Sequence, residues 1–164
     1  MSGTAIDSAK FRQVLGSYPT GVCAITAMGP DGAPAGLVVG TFTSVSLEPP
    51  LVGFLPDKSS SSWPLIERAG HFCVNVLGSD QQHVCRQLAA KGSEKFAGLD
   101  ISLSEHGHPV IPSSIAQIDC DIHAVIDAGD HWFVVGRVLS LDVHRDGDPM
   151  LFHRGRYGGF AELA

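Results

Sequence analysis

The sequence predicts a mainly β protein, an antiparallel barrel with a few short helices. Three observations carry that prediction. Strand-like runs recur along most of the chain, the helical patterns between them are few and short, and a long alternating hairpin occupies residues 115 to 143. Closing such strands into a barrel removes the exposed edges that an open sheet must protect.

The elements follow in order. DSAKFRQVL at 7 to 15 places Phe11, Val14 and Leu15 on one helical face, with Asp7 or Ser8 as N-cap. Tyr18-Pro19 ends that helix, and GVCAITAM at 21 to 28 reads as a strand rich in β-branched residues. GPDGAP at 29 to 34 is a hairpin turn. GLVVGTFTSVSL at 36 to 47 reads as one long strand, in which Gly40 marks a bend, a bulge or the close approach of another group, and Pro49-Pro50 stops it.

LVGFL at 51 to 55 and FCVNVL at 72 to 77 are further strands, separated by a loop and a short helical turn in WPLIERAG at 63 to 70. SDQQHVCRQLAAK at 79 to 91 offers Ser79 or Asp80 as N-cap and Val84 with Leu88 as an i, i+4 apolar pair, the signature of a second helix. Beyond it, alternation from Ile115 to Ile126, a turn at Ala128-Gly129-Asp130 and renewed alternation from Trp132 to Val143 give the long hairpin.

With 164 residues, 44% of them hydrophobic and only 17% charged, the chain reads as one domain spanning residues 1–164 with a real core. Its apolar runs fall far short of the ~20 residues of a membrane span. The N-terminal stretch lacks a basic start followed by an apolar block, so it does not resemble a secretory signal and the expected compartment is the cytoplasm. Cys23, Cys73, Cys85 and Cys120 form no CxxC pair and sit in apolar surroundings, as reduced, packed thiols do. A net charge of −6, with eleven scattered Lys and Arg, gives no footprint for nucleic acid.

Among chemistry-bearing motifs, the glycine pattern of a dinucleotide fold and the Walker A loop are both missing. No GxSxG elbow or paired Cys/His set supports a nucleophile or zinc, and the histidines at 83, 106, 108, 144 and 153 read as surface or hydrogen-bonded groups. Two features remain. GTFTSVSLEPPLVGFLPDKSSSSW at 40 to 63 carries eight hydroxyls in what otherwise looks like buried sheet, and such hydroxyls need partners. Within it, KSSSS at 58 to 62 combines an ammonium, several hydroxyls and a helix start near Trp63, which together suit a phosphate. The plain alternative is a solvated loop whose serines cap the helix. His131, in AGDHWFVVG, lies at a turn that can present its ring to a pocket.

Several segments together, PTG at 19 to 21, TFTSVSLEPPLV at 41 to 52, KSSSSW at 58 to 63, FCVNVL at 72 to 77, EKFAG at 94 to 98, AGDH at 128 to 131 and RGRYG at 154 to 158, resemble the flavin reductase family with the FMN-binding split barrel. They occur in the family's order over about residues 11 to 160. The resemblance implies a split β-barrel of Greek-key type, with Gly40, Thr41, Thr43, Ser44, Val45 and Ser46 lining the isoalloxazine and ribityl parts of a flavin. It assigns the phosphate to Lys58, Ser60 and Ser62, with Trp63 opening the helix, and places His131 and Tyr157 near the flavin face or the nicotinamide.

The same resemblance implies an NAD(P)H:flavin oxidoreductase using FAD or FMN, with NADH or NADPH as hydride donor. It further implies a homodimer that supplies reduced flavin to a flavin-dependent oxygenase. A flavin-binding or sensing protein without turnover, and an enzyme whose flavin stays bound to serve another substrate, are the alternatives, since one fold hosts several uses.

Overall fold

The computed structural model describes residues 5–164; the first four, part of the stretch read as lacking a secretory signal, lie outside the described residues. Helix α1 (Ser8–Leu15) starts where the sequence places it, with the Asp7 carboxylate accepting from the N–H groups of Ala9 at 3.1 Å and Lys10 at 3.3 Å. None of its residues is buried, and Phe11, Val14 and Leu15 all stand in solvent.

Strands β1 (Thr20–Gly21), β2 (Cys23–Met28) and β3 (Pro34–Val39) follow, and β2 and β3 form the expected hairpin through a turn in which Gly32 takes φ 78°. The single long strand expected at 36 to 47 is instead two strands, β3 and β4 (Thr43–Ser46). The break falls at Gly40, where the sequence marks a bend or the close approach of another group: a Cβ there would come within 2.7 Å of Thr20 Oγ1. Then come β5 (Leu51–Phe54), α2 (Trp63–Ala69), β6 (His71–Val76), a 3-10 turn at Ser79–Gln81 and α3 (Gln82–Ala89). Neither Ser79 nor Asp80 caps α3. The turn intervenes, Asp80 instead pairs with Arg145 at 2.7 Å, and Gln81 Oε1 accepts from Gly78 N–H at 3.0 Å.

The rest is β7 (Ser102–Leu103), β8 (Pro109–Val110), the long hairpin β9 (Ala116–Ala128) and β10 (His131–Val143), β11 (Leu151–His153) and β12 (Arg156–Gly158). Seven strands make one antiparallel sheet in the order β3-β2-β6-β9-β10-β5-β4, while β1, β11 and β12 make a smaller one. The two edges of the large sheet, β3 and β4, are not hydrogen-bonded to each other, so the ladder does not close as the sequence reading expected.

The sheet is nevertheless strongly curled. Laid flat, its edges would stand about 28 Å apart, but residues 40–42 alone join β3 to β4, and four residue steps reach at most about 14 Å. The core agrees: Leu37 and Val39 from one edge share a cluster with Val52 and Phe54 next to the other, around Trp63, Phe72 and Val134. A second cluster fills the outer face of β2, where Val22 and Ala24 meet Val84, Cys85 and Leu88 of α3, so the expected Val84 and Leu88 pair is buried. All four cysteines are free and buried, and burial pushes the Cys23 and Cys120 thiols up to about 12.

Candidate functional site

A pocket of about 350 Å³ opens where the curl brings the end of β3, the end of β5, the tip of the β9–β10 hairpin and α3 together. Its apolar wall comes from Leu37, Val39, Leu55 and Leu88, and its polar groups are Thr41, Asp57, Ser60, Lys95 and His131.

The loop from Leu55 to Ser60 is held in place by backbone. Trp132 N–H donates to Pro56 O and Lys58 N–H to Asp130 O, both at 3.0 Å, so the loop lies along the hairpin tip and His131 stands beside Asp57. Thr41 is part of the same clamp: its hydroxyl accepts from Leu55 N–H at 2.9 Å and faces Leu55 O at 3.3 Å. Asp57 accepts from Ser59 N–H at 2.7 Å, and hydrogen bonding to Ser59, with His131 adding to it, holds its carboxyl below the ordinary range.

The serines divide their work. Ser60 Oγ accepts from the N–H groups of Ser62 and Trp63, both at 3.3 Å, at the start of α2, whose N-cap, Ser62, makes no side-chain cap bond of its own. That leaves the buried Ser62 hydroxyl free to accept from Lys95 Nζ at 3.0 Å, while the same ammonium reaches Gly36 O at 3.2 Å. Burial lowers the Lys95 pKa from its ordinary value. Three protons and two protein acceptors leave this ammonium one donor for the pocket it lines. Lys58, by contrast, pairs with Asp127 and lies 4.3 Å from the centre of the Trp132 ring.

Of the residues named from the sequence, the pocket gathers Gly40, Thr41, Ser60 and His131, with Ser62 just behind and Lys58 beside it on the hairpin tip. Trp63 is buried in the core under α2. Thr43, Ser44 and Val45 are exposed and Ser46 half-buried on β4, an edge strand bonded only to β5. The hydroxyl-rich strand is therefore not the buried sheet it resembled, and its outer edge offers free backbone groups. Tyr157 lies elsewhere, on β12, lining a different cleft; Cys85 Sγ–H donates to its hydroxyl at 3.4 Å, and this contact together with burial raises the phenol pKa. His131 Nδ1 is 2.7 Å from Asp130 Oδ1.

Lys95 is the residue that sequence reasoning passed over. It lies within EKFAG, but only the fold brings residue 95 against Ser62 and Gly36, so spacing gave no sign of it.

An apolar wall facing the Lys95 ammonium, Ser60, the His131 imidazole and the Asp57 carboxylate fits a ligand that is flat and apolar at one end and carries both phosphate and hydroxyl groups at the other. The chain belongs to the family described as the flavin reductase like domain, whose model matches residues 15–161. It is 58% identical over 160 residues to a flavin reductase of Pseudomonas putida, covering 98% of this chain and 94% of that protein. It is 48% identical over 159 residues to the flavin-dependent monooxygenase reductase subunit HsaB of Rhodococcus jostii, covering 97% and 81%. Among solved structures, the NADH:FAD oxidoreductase SgcE6 of Streptomyces globisporus, in complex with NAD and FAD fragments, superposes with a TM-score of 0.88 at 34% identity, covering 94% of this chain and 93% of that one.

Proposed function

We propose that this protein is an NAD(P)H-dependent flavin reductase that reduces FMN or FAD and hands the reduced flavin to a partner monooxygenase. The observation that carries the reading is the meeting of Thr41, Ser60, Lys95 and His131 around one apolar-walled pocket. The relatives' names support the chemistry, since they include a flavin reductase and the reductase subunit of a flavin-dependent monooxygenase.

Flavin, when bound, supplies a two-electron acceptor for hydride from a reduced nicotinamide. The chain's own part is binding and orientation. Lys95 and Ser60 hold the phosphate end through charge-assisted hydrogen bonds, and the free edge of β4, with Thr43, Ser44 and Ser46, offers donors and acceptors to the ring and ribityl chain. His131 stands at the pocket mouth and orients the donor ring against the acceptor; hydride transfer itself moves no proton there, so placement matters more than acid or base strength.

The curled sheet supports a split barrel built as one domain over the chain. Exposed apolar residues on α1 support a homodimer, in which a second copy covers them. Among the described residues no helix is long and apolar enough to cross a membrane, and a cytoplasmic location is part of the proposal. Steady-state oxidation of NADH and NADPH with FMN, FAD or no added flavin tests it. Flavin-dependent turnover is expected, and tight flavin binding without nicotinamide oxidation would leave a binding protein in its place.

A further inference from the structure

Lys95 reaches the pocket from a segment, Glu94 to Leu99, that belongs to no helix or strand. Its own backbone bonds turn inward: Ala97 N–H donates to Glu94 O at 3.2 Å and Leu99 N–H to Phe96 O at 3.0 Å. Among the described residues, no backbone–backbone bond ties residues 94–99 to the sheet or to α3. Side chains therefore fix where the ammonium stands. Gln87 Nε2 of α3 donates to Ala97 O at 2.7 Å, and Phe96 packs with Leu99 against the cluster that holds Val84, Cys85 and Leu88.

Two neighbouring side chains of this segment close on one glycine. Lys95 Nζ donates to Gly36 O at 3.2 Å, while the Phe96 ring lies so close over the same residue that a Cβ there would come within 2.8 Å of its Cζ. Gly36 sits inside β3, where a glycine ordinarily weakens a strand because it brings no side chain to pack. Its φ is not left-handed, so the backbone does not require glycine at this position. The Phe96 ring does.

With the ring seated, the ammonium meets Gly36 O and Ser62 Oγ together. A lysine stem is flexible, so those two acceptors can aim the remaining proton only while the backbone that carries the stem stays in place. Neither Gly36 nor Phe96 lines the pocket, and any effect they have on a ligand there passes through a neighbour.

We propose that Phe96, seated on Gly36, is the positioning residue for Lys95, and that the fit of ring to glycine sets how strongly the pocket holds a phosphate. The identity of that phosphate, the flavin's, rests on the reductase reading. A side chain at position 36 lifts the ring, and the lysine one position earlier moves with it. A charge-assisted hydrogen bond weakens steeply with displacement, whereas riboflavin, which lacks the phosphate, has no such bond to lose.

Equilibrium titration of the whole protein with FMN and with riboflavin, followed by flavin fluorescence, tests this without turnover. Gly36→Ala is expected to weaken FMN about tenfold, the worth of one charge-assisted contact, and to leave riboflavin unchanged. Made in the Lys95→Ala protein, the same substitution should add nothing to the loss, because it acts through that lysine. Phe96→Leu, which reaches the contact from the other side, should also weaken FMN alone. The pair Gly36→Ala, Phe96→Leu should lose less than the two separate losses combined, since the smaller side chain makes room.

FMN affinity unmoved by both Gly36→Ala and Phe96→Leu overturns the proposal. So does an equal loss for riboflavin, which makes the contact a matter of folding, or a Gly36→Ala loss that persists in full without Lys95. If Lys95→Ala itself leaves FMN unmoved, the phosphate lies elsewhere, and the place of Lys95 in the reductase reading falls together with the proposal.

Discussion

Around Asp119 and around Ser62 the chain gathers similar groups, hydroxyls with one carboxylate or one ammonium, but the two clusters differ in how fully they are satisfied. Asp119 is wholly buried, and its oxygens meet His108 Nδ1 at 2.8 Å, Ser104 Oγ at 3.0 Å, Gln117 Nε2 at 2.8 Å and Ser140 Oγ at 3.2 Å. Burial works to raise its pKa, yet the hydrogen bonds from His108, Gln117 and Ser104 outweigh it and leave the carboxyl below its ordinary 3.8. Ser62 and Lys95, also drawn inward, leave part of the ammonium facing an open pocket. A closed network ties the loop before β8 to the long hairpin, whereas an open one has capacity left for a ligand.

The largest expected effect breaks the closed cluster. Asp119→Ala strands the partners of a buried charge and is expected to cost about 3 to 5 kcal/mol. Lys95→Ala should cost less than about 1 kcal/mol, in the range of a partly exposed group. Urea unfolding of both variants gives the comparison, and equal losses would end the distinction between the two clusters.

Next in size is His131→Ala, expected to slow flavin reduction by about a hundredfold with oxidised-flavin affinity nearly unchanged, because small misplacements of reacting atoms cost that much. Rapid mixing and an equilibrium titration separate the two quantities. An unchanged rate at saturating NADH would make His131 an ordinary turn residue.

A smaller effect sharpens the open side. Lys95→Ala should weaken FMN about tenfold, with riboflavin unaffected. Lys58→Ala should do less, its ammonium being engaged by Asp127 and Trp132. Fluorescence titrations with the two flavins decide between the lysines.

The smallest expected effect is in pH. His71 stacks on His108 with ring centres 4.2 Å apart, and burial first, then His108, lowers its pKa below 6.5, against the pull of Asp121 and Asp119. The unfolded chain therefore takes up a proton more readily, so this group's stabilisation is full above about pH 6.5 and declines as pH falls below it. Asp119 adds a loss at lower pH, as its own carboxyl protonates. Urea midpoints measured between neutral and mildly acidic pH should fall for the unaltered protein and fall less for His71→Gln.

Local pattern made the strands legible. Alternation from Ile115 to Val143 and the turn at 29 to 34 are short-range signals, and both hairpins stand where those signals place them. Long-range placement was not legible. Gly40 was legible as a bend or a close approach within residues 36 to 47, and Thr20 does lie against it, but nothing in the pattern shows that the two halves part to opposite edges of the sheet. The small strands β11 and β12 are too short to show a period. KSSSS was recognisable as a hydroxyl-rich loop, but the ammonium bonded to its last serine comes from Lys95, and the Asp119 network joins residues from three separate segments.

The central claim, that the pocket around Ser60, Lys95 and His131 hosts hydride transfer to flavin, is tested most directly by mixing NADH with the flavin-loaded protein without oxygen and following flavin absorbance. Rapid bleaching that saturates with NADH and is slowed by His131→Ala is expected. Flavin that binds at this pocket yet keeps its oxidised absorbance with both NADH and NADPH would contradict it.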